Sequence, residues 1–286
     1  MDILSLADAL KIVLIGIIEG ITEWLPVSST GHMLIFDAIA PFEAEEAFKE
    51  MFFVVIQLGA ILAVVTCFWR KMLPVTRQTV LIPDGGEKKS GLSIDMPTVM
   101  LWLKVAVAVL PSAVIGLLFD DLLEEKFGSP ITISAMLILY GIAFIIVEKL
   151  SFHRTRKCDS LQSITFLQAI LIGLFQVLSL IPGTSRSGAT IIGALIIGIA
   201  RPAAAEFTFF LAVPTMLGAS LLKILKFGFA FTGAEIAALL IGMAVAYLTS
   251  LVAIKFLMDF VKKHTFTVFG CYRIALGAVV LLITLI

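Results

Sequence analysis

Two short polar segments interrupt an otherwise strongly apolar chain, and they constrain its fold more than any other feature. The first, at residues 19–32, reads EGITEWLPVSSTGH, and the second, at residues 182–190, reads PGTSRSGAT. Both combine ionisable side chains with helix-breaking proline and glycine. A charge at membrane depth costs roughly 2.5–3.5 kcal/mol on insertion scales, so such residues usually line a polar site inside the protein.

The composition predicts a membrane protein. Of its 286 residues, 60% are hydrophobic and 15% are charged, and the mean hydropathy is +1.08, whereas a soluble domain carries about 25% charged residues. Several apolar runs reach the ~20 residues that span a hydrocarbon core, and β-barrel alternation is absent. We therefore predict an all-α polytopic membrane protein. Because the net charge is zero and no basic tract is present, we expect no nucleic-acid partner.

Six segments are long enough to be full spans. The predicted spans lie at about residues 51–69, 98–119, 130–148, 203–223, 234–256 and 267–286. Basic residues cluster after the first, third and fifth spans, and acidic residues cluster at residues 43–50 and 120–126. By the positive-inside rule, the basic connections are cytoplasmic and the acidic ones external. Lys223 and Lys226 fall on the external side in this scheme, where their long side chains can reach the interface.

The remaining segments, at about residues 7–41 and 162–201, have both ends on one side of the membrane. Each has two apolar parts around a polar break, so we predict two re-entrant helical hairpins, the first entering from outside and the second from inside.

The first and second halves of the chain also correspond in sequence, at a constant offset of residue number. Gly16, Glu19, Ser28, Thr30 and Gly31 pair with Gly173, Gln176, Ser185, Ser187 and Gly188. This pattern predicts an inverted-topology repeat of residues 1–150 and 151–286 within one membrane domain.

Glu19 and Glu23 form the first candidate site. They are four residues apart on one helical half, so both carboxylates project from the same face. Two adjacent anions in a low dielectric repel each other, and one would normally stay protonated. A divalent cation such as Mg or Ca removes this conflict and prefers hard oxygen ligands, so we predict a metal site here. The alternative is a pair of acids hydrogen-bonded across helices.

Three hydroxyls and a histidine follow in the same segment. A proline and a glycine bracket Ser28, Ser29 and Thr30, which frees backbone amides and places the hydroxyls together. A histidine beside a hydroxyl, such as His32, can act as a general base or orient a nucleophile, and it can equally be a packed side chain. The neighbouring glutamates and hydroxyls favour a catalytic role.

The second polar segment has the features of a phosphate cradle: flexible backbone, hydroxyl donors and a helix N-terminus. Arg186 adds a fork of donors that suits two phosphate oxygens. The alternative is an arginine neutralised by a local carboxylate. A cation, an arginine and helix ends together suit an anionic ligand, and phosphoryl transfer depends on positioning and charge neutralisation.

Four further polar residues lie within the predicted spans and hairpins: Gln57, Ser112, Gln176 and Thr215. The default interpretation of such residues is a hydrogen bond between neighbouring helices. We therefore predict a packing role for all four.

At its two polar segments the chain resembles the bacterial undecaprenyl-diphosphate phosphatase family, also called the bacitracin-resistance phosphatases. Residues 19–32 are similar to the family's first motif and residues 182–190 to its second, and the order of apolar segments agrees over essentially the whole chain. The resemblance implies hydrolysis of undecaprenyl diphosphate to undecaprenyl phosphate and inorganic phosphate, which recycles the lipid carrier for cell-wall synthesis and gives bacitracin resistance. It also implies a divalent cation and a site in the bacterial cytoplasmic membrane that opens externally.

The resemblance further assigns roles to individual residues. Glu19 and Glu23 would bind metal or handle protons, Ser29 would be the nucleophile, and His32 would assist it. Arg186 would hold the diphosphate together with neighbouring hydroxyl and backbone groups, namely Ser28, Thr30, Ser185, Ser187, Gly188 and Thr190. A phosphoserine intermediate and direct attack by water both agree with these roles, and a homodimer is compatible with the sequence.

The main alternative is transport. Inverted repeats and broken helices are the usual architecture of secondary transporters, so a protein of this pattern could flip or carry an anionic prenyl lipid. Phosphate release by the purified protein separates the two functions.

Overall fold

The computed structural model describes residues 5–41, 44–80, 89–152 and 158–285, most of which are helical. The first half contains α1 (Leu6–Thr22), α2 (Ser29–Ile39), α3 (Glu46–Val55), α4 (Gln57–Met72), α5 (Met96–Phe127) and α6 (Pro130–Phe152). The second half contains α7 (Phe166–Val177), a 3₁₀ turn at Leu178–Leu180, α8 (Arg186–Ile196), α9 (Arg201–Phe227), α10 (Gly233–Lys263) and α11 (Thr267–Leu285).

Six helical segments of the described chain are long and apolar enough to cross a membrane, which confirms the predicted multi-pass architecture. They are Glu46–Met72, Met96–Phe127, Pro130–Leu150, Arg201–Phe227, Gly233–Lys263 and Thr267–Leu285. The first of them is interrupted at Ile56, where α3 ends and α4 begins.

Several spans extend further than the sequence predicted, because charged residues at their ends remain helical. Residues 120–126, predicted as a connection, form the last turns of α5. Lys226 in the last turn of α9 contacts Asp121 at 2.7 Å, and Lys223 contacts Glu124 at 3.3 Å. These pairs join the ends of α5 and α9 and account for the two lysines that did not follow the charge rule.

A small β-sheet corrects the all-α prediction. β1 (Val75–Val80) and β2 (Lys89–Ile94) pair antiparallel between α4 and α5, with Val75 opposite Ile94. β1 is rich in β-branched residues, which favour strands over helices. The sheet lies in a predicted basic connection; Lys88 of that connection and residues 153–157 of the next basic connection lie outside the described residues.

Glycines bring two pairs of helices into close contact. α1 packs on α10, and α7 packs on α5. A Cβ atom at Gly16 would lie 2.9 Å from Val245 Cβ, and one at Gly173 would collide with the Ala108 backbone. Small residues of this kind allow helix backbones to approach closely inside membranes. The two contacts hold the helix that precedes each polar break.

Candidate functional site

The two polar segments of the sequence meet in one pocket. This pocket, of about 190 Å³, is lined from the first segment by Glu23, Ser28, Ser29 and Thr30, and from the second by Pro182, Gly183, Ser185 and Arg186. Side chains of α4, α9 and the 3₁₀ turn complete the wall: Gln57, Ser179, Thr215, Met216 and Ala219. The predicted convergence of the two segments is therefore present in the structure.

Both helices that follow the breaks begin at this pocket. α2 begins one residue after Ser28 and α8 one residue after Ser185, and these serines have φ angles of 73° and 70°. They are the only non-glycine residues in the described part of the chain with positive φ. Such strain is costly and clusters at functional sites. Two helix N-termini at one pocket supply backbone N–H groups and positive dipole ends for an anion.

Glu23 links the two segments. Arg186 Nη2 donates to Glu23 Oε1 at 3.0 Å, and Ser29 Oγ donates to Glu23 Oε2 at 3.2 Å. The Arg186 and Glu23 side chains are each only 10% exposed. Arg186 Nη1 also donates to the Thr208 carbonyl oxygen at 3.1 Å. Most of the guanidinium donors remain for another acceptor, such as a phosphate oxygen.

Three of the predicted substrate-binding residues lie behind the pocket wall. Ser187 Oγ donates to the Glu23 carbonyl oxygen at 3.1 Å, and Gly188 N donates to Ser185 Oγ at 3.2 Å. Thr190 Oγ1 donates to the Arg186 carbonyl oxygen at 2.9 Å. These bonds join the first segment to the second and secure the start of α8. Direct contact of these three residues with a ligand stays a prediction.

Glu19 is buried one helical turn before Glu23, on the same face of α1. Its Oε1 has no hydrogen-bond partner among the described residues. Within the described ranges, no three histidine, cysteine, aspartate or glutamate side chains lie close enough together to bind one metal ion. A cation at this position would therefore have two carboxylates and would need further oxygen ligands from hydroxyls, water or substrate.

Both ring nitrogens of His32 form hydrogen bonds with groups other than the predicted nucleophile, Ser29. Nδ1 is 2.7 Å from the Ser28 carbonyl oxygen, and Nε2 is 2.8 Å from the Tyr272 hydroxyl. The rings of His32 and Tyr272 stack with centroids 5.6 Å apart. His32 thus joins the first break to α11, while the partner of the Ser29 hydroxyl is Glu23.

Of the four polar residues predicted to form hydrogen bonds between helices, three do so and two line the pocket. Gln176 Nε2 donates to Ser112 Oγ at 2.6 Å and to Thr215 Oγ1 at 3.3 Å, which confirms the prediction for these three residues. Thr215 also lines the pocket, as does Gln57. Their position at the pocket follows from the tertiary fold rather than from any local motif.

Arg273 of α11 is a site residue that the sequence analysis missed. It is fully buried, and its Nη2 donates to the carbonyl oxygens of Gly183 and Thr184 at 2.8 and 2.9 Å. Nη1 donates to the Pro26 carbonyl oxygen at 3.4 Å. One side chain therefore holds both breaks. An arginine in the middle of a predicted span is itself a signal of this kind of role.

We expect Arg273→Met to destabilise the protein by roughly 3 kcal/mol or more, because buried carbonyl groups of both breaks would lose a charged donor. Thermal unfolding of the purified protein in detergent measures this change. Arg70→Met, at an exposed position of α4, is the control and should leave the unfolding temperature unchanged. Equal unfolding temperatures for both variants would contradict the clamping role of Arg273.

Known proteins are similar to this chain over nearly its whole length. The family described as bacitracin resistance protein BacA matches residues 12–279. An undecaprenyl-diphosphatase from Enterococcus faecalis is 59% identical over 283 residues, which are 99% of each chain. Undecaprenyl-diphosphatases from Desulfitobacterium hafniense and Lachnoclostridium phytofermentans are 50% and 53% identical, each over 280 residues, covering 98% of this chain and 97% of the relative.

Proposed function

This chain belongs to the bacitracin resistance protein BacA family, and on that basis we propose that it is an undecaprenyl-diphosphatase. It hydrolyses undecaprenyl diphosphate to undecaprenyl phosphate and inorganic phosphate, which recycles the carrier lipid for cell-wall synthesis. One observation carries the chemical side of the proposal: Arg186, Glu23 and two helix N-termini converge on a single pocket inside an apolar bundle. Such a pocket suits the diphosphate headgroup of a lipid.

The pocket offers the diphosphate several kinds of donor. Arg186 provides a planar fork that suits two phosphate oxygens. Ser28, Thr30 and Ser185 add hydroxyl groups at the two helix starts, where backbone N–H groups and helix dipoles favour an anion. Because the Glu23 and Arg186 side chains are almost completely buried, these interactions act in a lower dielectric than water and stabilise the charge of phosphoryl transfer more strongly than they would in water.

Ser29 and Glu23 supply the reacting groups. The Ser29 hydroxyl transfers its proton to Glu23 Oε2, at 3.2 Å, as its oxygen attacks the terminal phosphorus. The bond from this phosphorus to the bridging oxygen breaks, and undecaprenyl phosphate leaves with the electron pair. Water then cleaves the Ser29 phosphoester, which releases inorganic phosphate and restores the hydroxyl. In this assignment His32 positions the break through Ser28 and Tyr272.

Glu19 and Glu23 would hold the divalent cation. The unpartnered Oε1 of Glu19 beside Glu23 agrees with this assignment, since a buried carboxylate oxygen requires a donor or a cation. Mg²⁺ is commonly bound by one or two carboxylates together with substrate phosphates, which suits a site with two acids. When bound, the cation would neutralise charge on the diphosphate.

Phosphate release from undecaprenyl diphosphate by purified protein in detergent tests this function. We expect release in Mg²⁺ or Ca²⁺ and its loss in excess chelator, because the diphosphate charge would no longer be neutralised. Full activity in excess chelator would contradict the metal assignment. No release with any cation, together with lipid translocation in vesicles, would favour a transporter instead.

We propose further that the two breaks belong to re-entrant hairpins of an inverted repeat in the bacterial cytoplasmic membrane. The helices α1, α2, α7 and α8 have 17, 11, 12 and 11 residues, fewer than the ~20 needed to cross the bilayer. The matched φ angles of Ser28 and Ser185 support the repeat. The resemblance to the family implies that the pocket opens to the external side. Labelling of a Thr30→Cys variant only from the cytoplasmic side would contradict this orientation.

A further inference from the structure

A second cavity adjoins the polar pocket. It has a volume of about 240 Å³ and shares Ser179, Thr215 and Ala219 with the pocket. Its remaining wall is formed mainly by apolar or small residues on facing sides of α5 and α9 and by the 3₁₀ turn, including Val109, Gly116, Leu117, Leu180, Gly218 and Leu222. We call this cavity the α5–α9 groove. It leads from the diphosphate pocket toward the helix ends where Asp120 meets Lys226 at 3.3 Å.

Two glycines of this groove are not required by helix packing. A Cβ atom at Gly218 would meet nothing within 4 Å, and one at Gly116 would meet only Leu180 Cδ2, at 3.6 Å. Gly16 and Gly173, in contrast, lie against neighbouring helices without room for a Cβ atom. Because glycine inside a helix costs about 1 kcal/mol relative to alanine, a glycine that faces open space needs another reason. At position 218, the absence of a side chain leaves the space of the groove unfilled.

The junction between pocket and groove contains an unsatisfied polar atom. Gln176 lines the groove and is fully buried, and its amide nitrogen donates to Ser112 and Thr215. Its Oε1 has no donor among the described residues. A buried acceptor of this kind is normally satisfied by water, so water suits this polar junction and an apolar group suits the walls of the groove beyond it.

We propose that the α5–α9 groove holds the isoprene units of the substrate nearest the diphosphate. The inference rests on the proposed function, because it takes the headgroup to lie in the polar pocket. A prenyl chain leaving that pocket past Thr215 and Ala219 enters the groove at once, and the rest of the tail continues among the lipids. Since lipid tails are as apolar as the groove, its contribution is to fix the position of the terminal phosphorus beside Ser29 rather than to supply affinity. Gly218 is then a specificity-determining residue.

Filling the groove tests the inference. We expect Gly218→Leu to lower kcat/KM for undecaprenyl diphosphate by about tenfold or more, since a misplaced substrate loses transition-state contacts. Gly218→Ala should have a smaller effect in the same direction. Gly233→Leu is the matched control, because Gly233 also faces open space but does not line the groove; its kcat/KM should stay within about twofold of the wild-type value. Equal kcat/KM for Gly218→Leu and Gly233→Leu would overturn the inference.

A second measurement does not depend on turnover. A non-hydrolysable prenyl diphosphate analogue with a diazirine on its first isoprene unit should label peptides from residues 109–120 or 214–222. Labelling confined to α6 or α11 would overturn the groove assignment. Absence of phosphate release by the wild-type protein would instead contradict the proposed function, so the two failures are distinguishable.

Discussion

Arg186→Ala is expected to lower kcat/KM for undecaprenyl diphosphate by about a thousandfold or more, the range seen when an arginine that stabilises phosphoryl transfer is removed. Arg186 is the only cation among the residues that line the described pocket, so its loss removes the fork that faces the phosphate oxygens. The same substitution leaves Glu23 Oε1 without its partner in a buried position. The first effect acts on the transition state, whereas the second lowers the stability of the folded protein, so steady-state phosphate release is compared per folded molecule.

Two variants show whether this loss is specific to the site. Arg186→Lys keeps a charge but not a planar fork, so its activity should lie well below wild type and above that of Arg186→Ala. Arg201→Ala removes an arginine of similar burial that pairs with Glu148 outside the pocket. After correction for the folded fraction, its kcat/KM should remain close to wild type. Activity of Arg186→Ala within about tenfold of wild type would contradict a role in transition-state stabilisation.

Ser29→Ala should lower kcat by about a hundredfold or more, because the reaction would lose its nucleophile. The neighbouring Ser28→Ala is the control. Ser29 Oγ donates to Glu23, whereas Ser28 Oγ is buried without a partner among the described residues, so the Ser28 variant would lose one hydroxyl near the diphosphate but no reacting group, and its kcat should fall much less than that of Ser29→Ala. Normal turnover of Ser29→Ala with loss in Ser28→Ala would transfer the role to Ser28, and normal turnover in both would indicate direct attack by water.

The parts of the fold that follow from hydropathy were predictable. Each of the six spans contains an 18-residue apolar stretch with no more than two charged residues, and a stretch of that length has few alternatives to a membrane helix. The meeting of the two polar segments was also predictable, because Glu23 and Arg186 are both too costly to expose to lipid. Their ion pair, between residues 163 positions apart, satisfies both charges at once.

The features that depend on distant contacts were not predictable from local sequence. His32 reaches a hydroxyl on Tyr272, which lies 240 residues later, and no nearby motif specifies that pair. The extension of α9 to Lys226 depends on acids of α5 that neutralise its last turn. Ser187 and Thr190 belong to the polar motif, but the turn geometry of α8 directs their hydroxyls to backbone carbonyl groups.

The central claim is that one pocket, built from both breaks, grips the diphosphate of a lipid. An experimental structure with a non-hydrolysable methylene analogue of undecaprenyl diphosphate tests it most directly. We predict that the terminal phosphonate lies within hydrogen-bonding distance of the Arg186 guanidinium and beside the Ser29 hydroxyl. A headgroup bound elsewhere on the bundle, with Arg186 still paired only to Glu23 and Thr208, would contradict the claim.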